Sequence, residues 1–347
     1  QDETHTVGLY YGVRKDRNDP FCMIYVVNSA RFSMSARIIE MMDAGHHVLL
    51  VADECHHYGS RENAKIFDFQ TSPSFDDALY YAMGLSATPR CAHFEDVLVP
   101  ALGEEIYWYT LHQAIHEETV SPFVTFRVAV GFTGKEAKQY GDLSTLLHRT
   151  HAKLLRAYPS LAADAAAFFP RVQALAEELG TPESLPRQYL NLVRTRRNLC
   201  LSATNRLRCA ASIIRRQRPG SRILIFCERI DQAEHVQAWL REQLPFQTGL
   251  YHSGLTPDRR REVLRDFRDG VIRVLVTCKA LDEGVDVPDA LVGIVISSTL
   301  TERQRIQRLG RILRRAEGKN QAILYYLYVN KMTDEMTYLG PEDEGRP

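Results

Sequence analysis

Two adjacent carboxylates, Asp53 and Glu54, end the short apolar run Val48-Leu49-Leu50-Val51-Ala52 and are followed by Cys55-His56-His57. Acids at the C-terminal end of a strand lie where open α/β sheets bind ligands, and a carboxylate there can hold a hydrated cation beside a nucleotide phosphate. Some thirty residues on, Gly84-Leu85-Ser86-Ala87-Thr88-Pro89-Arg90 places two hydroxyls on a tight turn after another apolar segment. Near the other end of the chain, Gln307-Arg308-Leu309-Gly310-Arg311-Ile312-Leu313-Arg314 carries Arg311 and Arg314 three apart. On a helix such a pair shares one face and can converge on one anion, with Gln307 a turn earlier beside them.

The elements that must hold these residues follow from hydrophobic period. Over residues 1 to 130, apolar runs at Met23–Val27 and Val48–Ala52 flank a helical stretch, Ser35–Ala44, with Ile38, Ile39, Met41 and Met42 at helical spacing. That βαβ rhythm predicts a parallel sheet and a first α/β domain ending near residue 130. Residues 131–200 lose the strand signal; Leu146-Leu147, Leu154-Leu155, Leu161–Ala167 and Val172–Leu179 predict a helical insert, broken at Gly180-Thr181-Pro182. Residues 201–340 return to alternation, with strands predicted at Arg222–Cys227, Gly249–His252, Val271–Thr277 and Leu291–Ser297 and helices at Ile230–Gln243 and Pro257–Asp269. A Gly- and Pro-containing tail, 341–347, is expected to fray.

The 347 residues are 45% hydrophobic and 25% charged, enough for two ordinary cores. Lys plus Arg equal Asp plus Glu at 43 each, so no global field attracts a polyanion and any nucleic-acid surface must be local. The best local basic patch in the sequence is Arg187, Arg194, Arg196, Arg197, Arg206 and Arg208, although such arginines are as readily a solvated helix face. Seven scattered cysteines without a C-x-x-C pair argue against a disulfide framework or zinc ribbon and point to a reducing, cytoplasmic compartment. No apolar run approaches membrane-span length.

Together with Ile223–Cys227, Tyr251-His252-Ser253-Gly254 and the string from Val276 to Pro288, the ordered motifs resemble those of the superfamily 2 helicases with a DExH box, most closely the XPB-like and type III restriction-motor branch. The resemblance spans about residues 20 to 330 and implies an α/β fold of two tandem RecA-like domains with a helical insert. It implies ATP and Mg2+ as cofactors, with Asp53 organising the metal, Glu54 polarising the attacking water, and Arg311, Arg314 and Gln307 meeting the developing phosphate charge. His56, Ser86 and Thr88 resemble residues coupling ATP to the nucleic-acid track, and Gly284 and Asp286 those beside the nucleotide ribose. Thr277, Arg194, Arg196 and Arg197 are the expected nucleic-acid contacts. With acids and arginines on different domains, domain closure would complete such a site.

A phosphate-binding loop, G-x-x-x-x-G-K-[ST], does not occur in the sequence. Its two Gly-Lys pairs, Gly134-Lys135 and Gly318-Lys319, are followed by Glu136 and Asn320. The first domain is therefore expected to be N-terminally incomplete, to expose unpaired strand edges and apolar surface, and to be inactive in ATP turnover by itself. The expected function of the full-length protein is an ATP-dependent DNA helicase or translocase. The alternatives are a non-catalytic nucleic-acid-binding remnant and the motor subunit of a restriction or phage-defence complex with a partner such as a nuclease.

Overall fold

The computed structural model describes residues 7–11, 14–16, 22–60, 62–86, 90, 93–119, 121–164, 167–278, 290–297 and 321–329. The chain divides into two compact units, Gln1–Tyr109 and Thr110–Pro347. In the first, β1 (Val7–Tyr11), β2 (Arg14–Lys15) and β3 (Cys22–Tyr25) form one sheet in the order β2-β1-β3. Helix α1 (Val27–Asp43) leads to β4 (Val48–Ala52), which pairs in parallel with β5 (Tyr80–Gly84) in a separate two-stranded sheet.

The predicted βαβ unit is thus present as elements but not as one sheet. β3 pairs with β1, whereas β4 pairs with β5. Helix α1 also starts at Val27, eight residues before the predicted start, because no Gly or Pro interrupts the chain from Val27 to Ser35.

Strand alternation explains the surfaces of the β4–β5 pair. Val48, Leu50 and Tyr80 pack toward Met34, Ile38 and Met42 of α1 and toward Ile66, Phe67 and Phe69 of a 3-10 segment. Their neighbours Leu49, Val51, Tyr81 and Met83 point the other way and are 61%, 47%, 55% and 42% exposed. Such a face is half of a two-sided parallel sheet with its second cover absent among the described residues. The short helices α2 (Val99–Leu102) and α3 (Leu111–His116) follow, α3 opening on a capping box of Thr110 and Gln113.

The second unit is built on a six-stranded sheet of β6 (Phe123–Val130), β7 (Ile223–Cys227), β8 (Thr248–Tyr251), β9 (Val274–Cys278), β10 (Val292–Val295) and β11 (Ala322–Val329). Its order is β6-β11-β10-β7-β9-β8, with every pairing parallel. Strands β7, β9 and β10 are buried along their whole length, which explains their unbroken apolar sequence. Helices α4 (Gly134–Ala157), α5 (Phe168–Leu179) and α6 (Leu185–Leu201) form the insert, and α7 (Thr204–Arg216), α8 (Ile230–Gln243) and α9 (Pro257–Arg268) cover the sheet. On one face Leu207, Ile214, Val236 and Leu240 meet Ile223, Ile225 and Ile294; on the other, Val263 and Phe267 meet Leu224 and Leu275. Each such buried side chain contributes about 1.5–3 kcal/mol.

One strand changes the expected division. Period alone places residues 123–130 in the first domain, but all eight pair with β11, Phe123 with Ala322 through Val130 with Val329. The boundary near residue 130 therefore moves to between Tyr109 and Thr110. The insert is also no loose linker. The Glu136 carboxylate accepts from the backbone N–H and hydroxyl of Thr133 through one oxygen and from those of Thr204 through the other, at 2.8–2.9 Å. One side chain thus caps α4 where the insert begins and α7 where it ends. Asn205 Nδ2 donates to the Gly131 carbonyl at 2.7 Å across the same junction.

Candidate nucleotide and nucleic-acid site

The acids sit where a parallel strand pair can present them. Strands β4 and β5 end in register at Ala52 and Gly84, and the chain turns sharply after each. Leu85 N–H donates to the Ala52 carbonyl at 2.9 Å and Cys55 N–H to the Leu85 carbonyl at 2.9 Å, so the two turns are stitched together. Glu54 adopts a left-handed backbone, φ 48° and ψ 47°, which costs a non-glycine residue about 1–2 kcal/mol. That conformation turns the chain directly from the strand end into the 3-10 turn Cys55–Gly59.

Asp53 is exposed and its Oδ1 accepts from Glu54 N–H at 3.0 Å, leaving its other oxygen free of a hydrogen bond among the described residues. Glu54 is half-buried; its Oε2 is buried, accepts no hydrogen bond among the described residues, and lies 3.4 Å from His56 Nδ1. The buried His56 ring faces Ser86 Oγ at 2.8 Å through the same nitrogen. DExH box and hydroxyl turn are therefore in direct contact. Burial, then the nearby charges of Asp53, Cys55 and Glu54, push the Tyr58 phenol above its ordinary value, and burial drives that of Tyr80 to about 12. Both phenols stay neutral donors at neutral pH.

A hard, exposed carboxylate suits Mg2+, which keeps several waters and takes few protein ligands. Among the described residues no group of three or more His, Cys, Asp or Glu could hold a metal ion. An ion at Asp53 would draw its remaining ligands from water and phosphate.

Gly84 is a residue that sequence reasoning did not single out as functional. A Cβ there would lie 3.1 Å from both Cys55 Sγ and Leu102 Cδ1, so any side chain at this position would force those two side chains to give way. Gly84→Val is expected to destabilise the chain by about 1–3 kcal/mol, read as a lower urea midpoint, with Gly84→Ala costing less. Equal midpoints for Gly84→Val and wild type would contradict the close approach.

The predicted arginine patch is largely occupied. Arg187 donates to the Ala176 carbonyl at 3.2 Å, Arg196 lies over the Tyr140 ring at 5.7 Å, and Arg197 pairs with Glu228 at 2.8 Å. Arg206 is 1% exposed and donates to the carbonyls of Ile296 and Leu327, a role in the sheet rather than at a surface. Arg194 alone of the expected contacts is exposed and makes no ion pair among the described residues. Thr277 corrects the expectation of a phosphate contact: it is 1% exposed in β9, between β7 and β8, with its hydroxyl buried. A strand covered on both faces cannot offer that hydroxyl to a backbone phosphate. Thr88, Gly284, Asp286, Gln307, Arg311 and Arg314 lie outside the described residues.

Two α/β units with parallel strands, acids at a strand end in the first and a six-stranded parallel sheet in the second, define the tandem RecA-like fold of helicases. Residues 205–316 match the model of the helicase conserved C-terminal domain. The chain is 27% identical over 270 residues to the DNA 3'-5' translocase XPB2 of Sulfurisphaera tokodaii, covering 78% of this chain and 56% of that protein. It is 38% identical over 110 residues to the putative DNA 3'-5' helicase Rad25 of Haloarcula marismortui, covering 31% of this chain and 17% of the relative. The chain thus spans little more than half the length of the first relative and less of the second.

Among solved structures, the Hef helicase domain of Pyrococcus furiosus superposes with a TM-score of 0.55 at 14% identity, over 92% of this chain and 78% of that one. The DUF1998 helicase MrfA bound to DNA and AMPPNP gives 0.56 at 14% identity, over 97% of this chain and 39% of that one. These likenesses concern the fold. No helix among the described residues is long and apolar enough to cross a membrane.

Proposed function

We propose that the chain is part of an ATP-dependent DNA translocase or helicase in which Asp53 organises Mg2+ and Glu54 polarises the attacking water. The observation that carries this reading is the strand-end geometry: an exposed Asp53 beside a Glu54 whose inner oxygen is buried and accepts no hydrogen bond among the described residues, tied through His56 to Ser86. With its inner oxygen turned to His56, the Glu54 side chain is still 43% exposed and can meet water through its outer oxygen, the access a general base needs. When bound, Mg2+ with ATP supplies the metal-neutralised phosphates that the reaction consumes.

Arg311, Arg314 and Gln307 fall within the span matched to the helicase C-terminal domain, and in this reading they meet the phosphate charge. Gly284 and Asp286 hold the nucleotide, and Thr88 joins Ser86 and His56 in coupling it to DNA. DNA is the preferred partner because both curated relatives carry it in their names. The balanced composition makes contact with it local, through phosphates and independent of sequence. The cytoplasm is the proposed compartment, and a nuclease subunit the kind of protein partner that a restriction or defence role would add.

The test is ATP hydrolysis by the natural polypeptide with and without duplex DNA. Stimulation by DNA is expected; tight DNA binding with no hydrolysis under any condition would replace the motor by a non-catalytic binding protein.

A further inference from the structure

Helix α3, Leu111–His116, is short but held at both ends. At its start the capping box joins Thr110 to Gln113. At its end the N–H groups of Glu117, Glu118 and Thr119 donate to the carbonyls of Gln113, Ile115 and Ala114 at 2.8–3.1 Å. Within this fixed frame His112 and His116 stand four residues apart. At 3.6 residues per turn they lie about 40° from each other around the helix axis, with Cβ atoms about 5–6 Å apart. Ala114 projects about 160° from each of them and is 6% exposed, so the buried side of α3 is opposite the pair. Both histidines are exposed, and neither ring makes a hydrogen bond, ion pair or ring contact among the described residues. Other histidines are committed: His47 lies against Tyr81, His56 against His57 and Ser86, and His151 against Phe168 and Tyr189.

We propose that His112 and His116 form a binding site for a borderline divalent cation of the Zn2+ class. Imidazole nitrogens suit such ions, and two histidines at i and i+4 on one helical face can share one ion at the usual metal–nitrogen distance of about 2.0–2.1 Å. The described residues add no third His, Cys, Asp or Glu to the pair, so water completes the coordination. This chemistry differs from that of the acid pair. The carboxylate oxygen of Asp53 selects a hard ion, whereas two neutral ring nitrogens select a softer one.

Two protein ligands leave the site open, so its ion exchanges with the surroundings instead of being locked in as at a four-ligand structural centre. What the ion changes is α3 itself. A six-residue helix has little stability of its own, and a cation that binds only the helical arrangement of the pair stabilises that arrangement by mass action. Because Thr110 begins the second unit and caps α3, the cation stiffens the first element of that unit.

The test is equilibrium dialysis of the whole 347-residue chain against Zn2+, comparing wild type with His112→Ala, His116→Ala, the double variant and His46→Ala. His46→Ala removes an exposed histidine of the first unit and should bind as wild type. Each single α3 variant is expected to hold one equivalent of Zn2+ about 10–100-fold more weakly, at least the cost of losing an outer-shell partner. The double variant should be no weaker than either single one, because chelation needs both rings. Alanine is the best helix former, so the thermal midpoint without metal should stay in place, while Zn2+ raises it in wild type only. A chain with His116→Ala and Glu117→His keeps the number of histidines but moves the pair to i and i+5, about 140° apart, and should bind as weakly as the single variants. Wild-type affinity in His116→Ala or in that shifted chain would overturn the site. Losses that simply add in the double variant would show two independent surface histidines and overturn it equally.

Discussion

Glu54→Gln in the natural polypeptide is expected to lower DNA-stimulated ATP hydrolysis by about 10²–10⁴-fold, the range that a positioned general base supplies. The amide keeps the size and shape of the carboxyl group, so the left-handed turn at Glu54 and the stitching of Cys55 N–H to Leu85 are retained. Its nitrogen, however, is a donor, and its oxygen is too weak a base to accept a proton from water. The native carboxylate turns Oε2 to His56 Nδ1 at 3.4 Å and meets water through its outer side, where the amide would present a group that no longer attracts a water proton. DNA binding without nucleotide should be unaffected, since the change is confined to the strand-end turn of the first unit. Steady-state hydrolysis with saturating DNA is the measurement, and turnover within a few-fold of wild type would remove Glu54 from the role of base.

The second large effect is on stability. Glu136→Gln is expected to cost about 2–4 kcal/mol, because two helix caps and four charge-assisted hydrogen bonds converge on that carboxylate. A glutamine has one acceptor oxygen for donors that now use two, and its NH2 group would face the N–H and hydroxyl of Thr133 or Thr204. Partial burial opposes ionisation of Glu136, but those donors outweigh it and hold its pKa below the ordinary 4.5. The sign follows from linkage: a carboxyl with a depressed folded pKa stabilises the fold above its unfolded pKa, and that contribution is lost as pH falls through the folded value. The gap between wild type and Glu136→Gln in urea midpoint should therefore be full at pH 7 and shrink below about pH 4.5. A gap that is constant with pH would show that the carboxylate's charge contributes nothing to the clamp.

Much of the second unit was legible because its signals are local. Helix α8 falls on the predicted bounds, Ile230–Gln243, since its start after Glu228-Arg229 and its apolar spacing lie within one window. Strands β7 to β10 shift by a few residues at most, their continuous apolar runs being what a doubly covered parallel strand requires. Helices α4 and α5 follow from the helical spacing of leucines and the breaker at Gly180, whereas α6 lies over the stretch read in sequence only as an arginine patch.

What failed was long-range. The pairing of 123–130 with 322–329 joins segments almost two hundred residues apart, and no period within either strand names its neighbour. The same limit applied to charges. Arg206 and Arg208 look alike in sequence, yet one is buried against the carbonyls of Ile296 and Leu327 and the other is exposed beside Asn205. Thr277 looked like a hydroxyl at a motif and is sealed inside the sheet.

By itself the sequence determined the chemical types and their order: an acid pair at a strand end, hydroxyls on the next turn, a helical insert, and a C-terminal unit of alternating strands and helices. Those features are written in nearest neighbours and in short periods, where backbone geometry and hydrophobic alternation leave little choice. Only the tertiary structure decided that His56 meets Ser86, that Gly84 makes room for Cys55, that Glu136 closes both ends of the insert, and which cations remain for solvent or a phosphate. Each of these depends on distances between residues remote in the chain, and such distances are set by how whole elements pack rather than by any local preference.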